Sequence, residues 1–198
     1  MVAWAGQAWA ASLQNGGFET GDLTGWKTTT SGNASVRVRS DFLGWSASEG
    51  AHFALLESQS QSRGARVTLR QRFQLDAGDR VSFDYFLRSC TSCSAANDKS
   101  RLSLSGLGAT LLELAGNGND TPAGVWLSAV SLPAPAAGKY TLEFKVRIPR
   151  SDANYAQLGL DNIRAQSGGH LIPEPVTAIG LFAGVAGLAG YVRKRMAG

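Results

Sequence analysis

Histidine and cysteine are almost missing from this chain, with two of each in 198 residues. His52 and His170 stand far apart with no paired spacing, so a zinc site built on them would need two further ligands. Gly-x-Ser-x-Gly is absent, and no nucleophile is set beside a base, which removes the common hydrolase constellations. A pair of carboxylates for glycoside hydrolysis could be picked from any acid-containing domain, so the acid count points nowhere. The body before residue 173 has no long 3.6-residue period and no internal repeat. Strong charge is missing as well. Of the formal +4, residues 173–198 hold three Lys/Arg and one Glu, leaving 16 basic against 14 acidic residues in the body. Such a body carries no nucleic-acid-binding signature. Arg63, Arg66, Arg70 and Arg72 gather in one segment, where strand alternation places some of them on a solvent face.

The two cysteines, Cys90 and Cys93, form a C-x-x-C pair without the strand-then-helix context of a thioredoxin-like centre. In an oxidising compartment such a pair closes a small disulfide inside a loop; free thiols are the alternative.

What is present is a period of two. Val36 and Val38 alternate with polar neighbours, as do Val67, Leu69 and Phe73, then Val81, Phe83 and Tyr85, and Leu102 and Leu104. His52–Glu57, Ala109–Leu114, Val125–Leu132, Tyr140–Ile148 and Gln157–Ala165 complete about nine or ten short strands separated by Gly, Asn, Asp and Pro turns. Asn15–Trp26 reads as a short strand into tight turns. The expected fold is all-β: two antiparallel sheets face to face, a β-sandwich or jelly roll over residues 14–166, followed by a linker at 167–172.

The opening Asn15-Gly16-Gly17-Phe18-Glu19 with Gly25-Trp26, and the closing Leu160-Asp161-Asn162-Ile163, resemble the first and last strands of galactose-binding-like jelly rolls, a superfamily rich in carbohydrate-binding modules. The resemblance touches both ends of the body. It implies that these strands lie side by side and bring Glu19 near Asp161, where two carboxylates repel unless a cation or proton neutralises them. It further implies a structural Ca²⁺ held by Glu19, the Gly17 carbonyl, Glu49, the His52 carbonyl and Asp161. The alternative is that these acids cap turns or pair with arginines. For a sugar, such modules use aromatic faces. Trp45, in a loop-like segment, and Tyr155, in a polar stretch, are the possible glycan contacts; Trp126 and Tyr85 are weaker candidates, and Trp26 reads as core.

The C-terminus is different in kind. Val176–Val192 holds no charge and would span roughly 26 Å as a helix, close to the ~30 Å hydrocarbon core of a bilayer. Arg193, Lys194 and Arg195 follow it as a membrane stop, placing the body on the outer side. With Pro173, Glu174 and Pro175 ahead, residues 173–198 resemble the PEP-CTERM sorting signal of exported bacterial proteins, which implies a transmembrane helix processed by an exosortase. Residues 1–13, with Ala8-Trp9-Ala10, read as the remnant of a secretory signal peptide. The functional expectation is an exported, non-catalytic envelope or extracellular-matrix protein, in the inner membrane in transit and then held with extracellular polysaccharide. A lectin-like module on a simple C-terminal anchor is the alternative.

Overall fold

A computed structural model of the chain describes residues 12–59, 65–89, 99–106, 109–116, 121–147 and 155–168. All fall within the first of two units, Met1–Gly168. They form twelve strands: β1 (Lys27–Ser31), β2 (Ala34–Arg39), β3 (Asp41–Phe42), β4 (Trp45–Ser46), β5 (Phe53–Gln59), β6 (Arg66–Leu75), β7 (Arg80–Ser89), β8 (Lys99–Gly106), β9 (Ala109–Gly116), β10 (Leu127–Val130), β11 (Gly138–Arg147) and β12 (Tyr155–Gln166). Five make sheet A, in the order β1-β6-β11-β8-β9, and five make sheet B, in the order β10-β7-β12-β5-β2. β3 and β4 pair only with each other. Every pairing is antiparallel, and the two large sheets form a sandwich as the sequence period implies.

Alternation fixes which way each strand faces. On β6, Val67, Leu69, Phe73 and Leu75 are buried, while Arg66, Arg70 and Arg72 are exposed. On β11, Tyr140, Leu142, Phe144 and Val146 are fully buried. The register sets Phe73 opposite Tyr140, Leu69 opposite Phe144 and Val67 opposite Val146. A slip of one residue would turn that whole row to water, so the pairing is strongly specified. From sheet B, Ala54, Leu56, Phe83, Leu158 and Leu160 close the core. Phe83 meets Phe144 edge to face at 5.2 Å. Each fully buried Phe or Leu contributes about 1.5–3 kcal/mol.

The outer face of sheet B carries a second, smaller cluster. Phe53, Leu55 and Phe86 face outward there and are covered by Trp45, with Phe42, Ala47 and Trp126 at its margin. The Trp45 ring lies on Phe86 at 4.4 Å, stacked. Its indole N–H donates to the Val125 carbonyl at 3.0 Å, and that of Trp126 to the Ser46 carbonyl at 3.0 Å. The hairpin of β3 and β4 is thereby pinned over the sheet. Gly159 is the floor beneath, since a Cβ there would overlap the Phe86 ring.

The structure departs from expectation at the opening segment. Asn15–Trp26 is a run of turns, not a strand, stitched by bonds such as Trp26 N–H to the Leu23 carbonyl at 2.9 Å. Phe18 is fully buried with φ of 57°, the left-handed region that side chains seldom adopt. The segment still meets β12, through Ile163 N–H to the Gly16 carbonyl at 3.0 Å. Cys90, Cys93, the leader 1–11, Pro173, Glu174, Pro175 and Arg193, Lys194 and Arg195 lie outside the described residues. Among the described residues no helix is long and apolar enough to cross a membrane.

Candidate glycan face and acidic joint

Two places gather the residues singled out by sequence. The first is a joint between the opening turns, the segment 48–52 and the end of β12. Gly17 lies against both acids there: a side chain at that position would stand 3.6 Å from Glu19 Cγ and 3.9 Å from Asp161 Oδ1. Glu19 accepts N–H bonds from Ala51 at 3.0 and 3.1 Å and from His52 at 3.0 Å. Those of His52 and Ala51 hold its carboxyl below the ordinary carboxylate value. Asp161 is fully buried. Its Oδ2 accepts Ser48 N–H at 2.8 Å, Glu49 N–H at 3.1 Å and the Ser48 hydroxyl at 3.1 Å. Burial raises its pKa, against the pull of the Glu49, Asn162 and Ser48 donors.

A β-bulge aims these groups. The β12 register shifts between Asp161 and Arg164, with Asn162 at φ of 52°, a conformation Asn tolerates better than most residues. Leu160 and Ile163 consequently both face the core, while Asp161 faces outward. Asn162 donates to Asp84 Oδ2 at 3.0 Å, and Ser128 to Asp84 Oδ1 at 2.6 Å. Burial pushes the Asp84 carboxyl up, but bonds from Ser128, Asn162 and Ser48, with the Arg164 charge, outweigh it and hold it below the usual value.

The expected metal set is only partly assembled. Glu49 enters the joint through its backbone N–H, while its carboxylate forms an ion pair with Arg164. Among the described residues, no three His, Cys, Asp or Glu side chains group to hold a metal. What suits an oxygen-seeking cation is a buried carboxylate with a raised pKa, beside a second carboxylate, together with a buried Asn162 Oδ1 that has no partner among the described residues.

The second place is the part of the outer sheet B face that the aromatic cluster leaves uncovered. Here the register lines up Ser35, Glu57, Gln157 and Arg88 across β2, β5, β12 and β7. Arg88 Nη1 donates to Gln157 Oε1 at 2.9 Å, and Gln157 Nε2 to Glu57 Oε1 at 3.0 Å. Gln157 and Glu57 are buried by their neighbours although they belong to an outward row. Tyr155 is half-buried beside them, with the Arg88 guanidinium 4.7 Å from its ring centroid, a cation–π contact that fixes the ring's tilt. Asn33, Ser35, Arg37, Arg39 and Glu57 line a groove of about 300 Å³ on this face. An aromatic edge beside a row of fixed donors and acceptors is what a sugar ring requires.

Tyr155 therefore stands where a glycan contact is possible. Trp45 does not: it is 3% exposed, and its burial overturns the expectation that a ring in this loop stays in water. The hairpin that carries it folds back onto Phe53 and Phe86, which sequence alone does not reveal. Trp26 is core as expected, and Trp126 and Tyr85 are half-buried against the two clusters. Glu57, Gln157, Arg88 and Arg37 were missed. Alternation tells that each faces outward, but only the strand order makes them neighbours.

Comparison with known proteins returned no matching family model and no matching curated protein. Solved structures do match. The chain is similar to TmCBM61, determined in complex with β-1,4-galactotriose, with TM-score 0.56 and 19% identity over 79% of this chain and 98% of that one. It is also similar to a structure described as carbohydrate-binding modules of promiscuous specificity from the β-sandwich superfamily, with TM-score 0.50 and 14% identity over 79% of this chain and 63% of that one. At these identities the likeness concerns the fold, and the fold is a β-sandwich like that of carbohydrate-binding modules.

Proposed function

We propose that this chain is a non-catalytic glycan-binding module of jelly-roll type, whose site is the uncovered outer face of sheet B. The observation that carries it is the Ser35-Glu57-Gln157-Arg88 row beside Tyr155. The likeness to carbohydrate-binding modules supports the reading through the fold. The test is affinity electrophoresis of the chain in gels containing neutral β-glycans and galactans. Tyr155→Ala is expected to lose roughly tenfold in affinity for whichever glycan retards the parent. Equal retardation of parent and variant would remove this face as the site.

Two parts of the proposal rest on other residues. Ca²⁺ at the joint would be held by Glu19, Asp161 and nearby backbone oxygens of Gly17 and His52, neutralising the buried acid and tying the two ends of the module together. The tail, through Pro173, Glu174 and Pro175, Val176–Val192 and Arg193, Lys194 and Arg195, would carry the module through the inner membrane to an exosortase, and so to the envelope or extracellular polysaccharide.

A further inference from the structure

We propose that the outward face of β1, β6 and β11 is a second binding surface, for an acidic polysaccharide. Six exposed cations stand on it: Lys27, Arg66, Arg70, Arg72, Lys139 and Arg147. The acid among the outward positions of these three strands, Glu143, is already taken by Lys145 at 2.7 Å. None of the six has a salt-bridge partner among the described residues. The body as a whole carries nearly balanced charge, so this face is a segregation of one sign and not an average of the composition.

The register makes the segregation costly. Arg66 lies directly opposite Arg147, and Lys27 directly opposite Arg70, which has Glu143 as its neighbour on the other side. Like charges in cross-strand pairs destabilise a sheet, and these two pairs lie on neighbouring strands ~4.8 Å apart. A polyanion laid on the face relieves both. Lys27, Arg70 and Arg72 also surround one concavity of about 400 Å³, shared with Gly25, Gln71 and Thr141, which is within the size range of small-ligand sites. Guanidinium forks match carboxylate and sulfate oxygens in pairs, and the outward hydroxyls of Thr29, Thr68 and Thr141 are suited to the alcohols between them.

The same features disfavour a nucleic acid. No outward position of β1, β6 or β11 is aromatic, so bases have no stacking platform. A five-stranded sheet is roughly 19 Å across its strand axes and does not enter a ~12 Å major groove.

The full chain, kept soluble in a mild non-ionic detergent, is titrated with polygalacturonate, dextran sulfate, unsubstituted dextran, and single- and double-stranded DNA. Binding to the first two is expected, with affinity falling about tenfold or more over a fourfold rise in salt. Arg70→Gln combined with Arg72→Gln is expected to lower that affinity at least about tenfold while leaving the melting transition in place. Tyr155→Ala is expected to leave it unchanged, so this surface and the sheet B face fail or stand separately. Three results overturn the proposal: no polyanion binding at low salt, undiminished binding by the double variant, or DNA held more tightly than both polygalacturonate and dextran sulfate. Binding by dextran sulfate alone would narrow the ligand to sulfated chains and still support the face.

Discussion

Asp161 and Glu19 show how one side chain's surroundings set what it does. Glu19 is exposed and receives backbone N–H donors, so its ionised form is favoured by folding. Its folded pKa lies below the unfolded one. Its contribution is therefore present above the ordinary value of 4.5 and is lost as pH falls through the lower folded value. In chelator, the urea midpoint of the parent should exceed that of Glu19→Gln at neutral pH, with the gap closing as the solution is acidified. A gap independent of pH would show that the amide bonds alone matter. Asp161 has the opposite sign, its buried charge being a cost that persists at neutral pH. Added Ca²⁺ should raise the melting midpoint at neutral pH and chelator should reverse it, while no shift would remove the metal. The approach of these two acids was legible in the opening and closing motifs. The fate of Glu49 was not, because its partner Arg164 is aimed by a bulge at Asn162 that no periodicity announces.

Among the elements, the strands easiest to read in sequence are those with one wet face. β2, β6 and β11 alternate because they lie between core and solvent, and β7 does so up to Phe86, which turns outward under Trp45. β1 was missed since Lys-Thr-Thr-Thr-Ser offers no apolar position: it is an edge strand exposed along its whole length and held by its ladder to β6. β3 and β4 were missed because two residues cannot display a period. Yet that hairpin covers the second cluster through Trp45. Trp45→Ala should cost about 3 kcal/mol or more by chemical denaturation, as large-to-small changes at buried tryptophans do. Trp126→Ala, half-buried at the margin, should cost clearly less. Equal costs would mean that the hairpin is held by both indoles alike and not chiefly by the stacked ring on Phe86. The glycan row was illegible for a related reason. Ser35, Glu57, Gln157 and Arg88 belong to four strands whose adjacency is a property of topology.

For the molecule as a whole, the proposed glycan face and the proposed polyanion face are the two outer surfaces of one sandwich. On the proposed reading, the tail would set where they are displayed. Expressed with and without a functional exosortase, the chain should differ by mass spectrometry in tail length and in the fraction retained in the inner membrane. An intact tail and the same location in both hosts would leave the plain anchor. The last described residue, Gly168, is fastened to the turn between β6 and β7, its N–H donating to Asp79 Oδ1 at 3.1 Å. It follows directly from β12, which is laddered on one side to β5 and on the other to β7. Tension drawn through the C-terminus, as when a wall or gel is sheared by flow, would load two rows of backbone bonds in parallel, and the strands would have to slide together instead of peeling one by one.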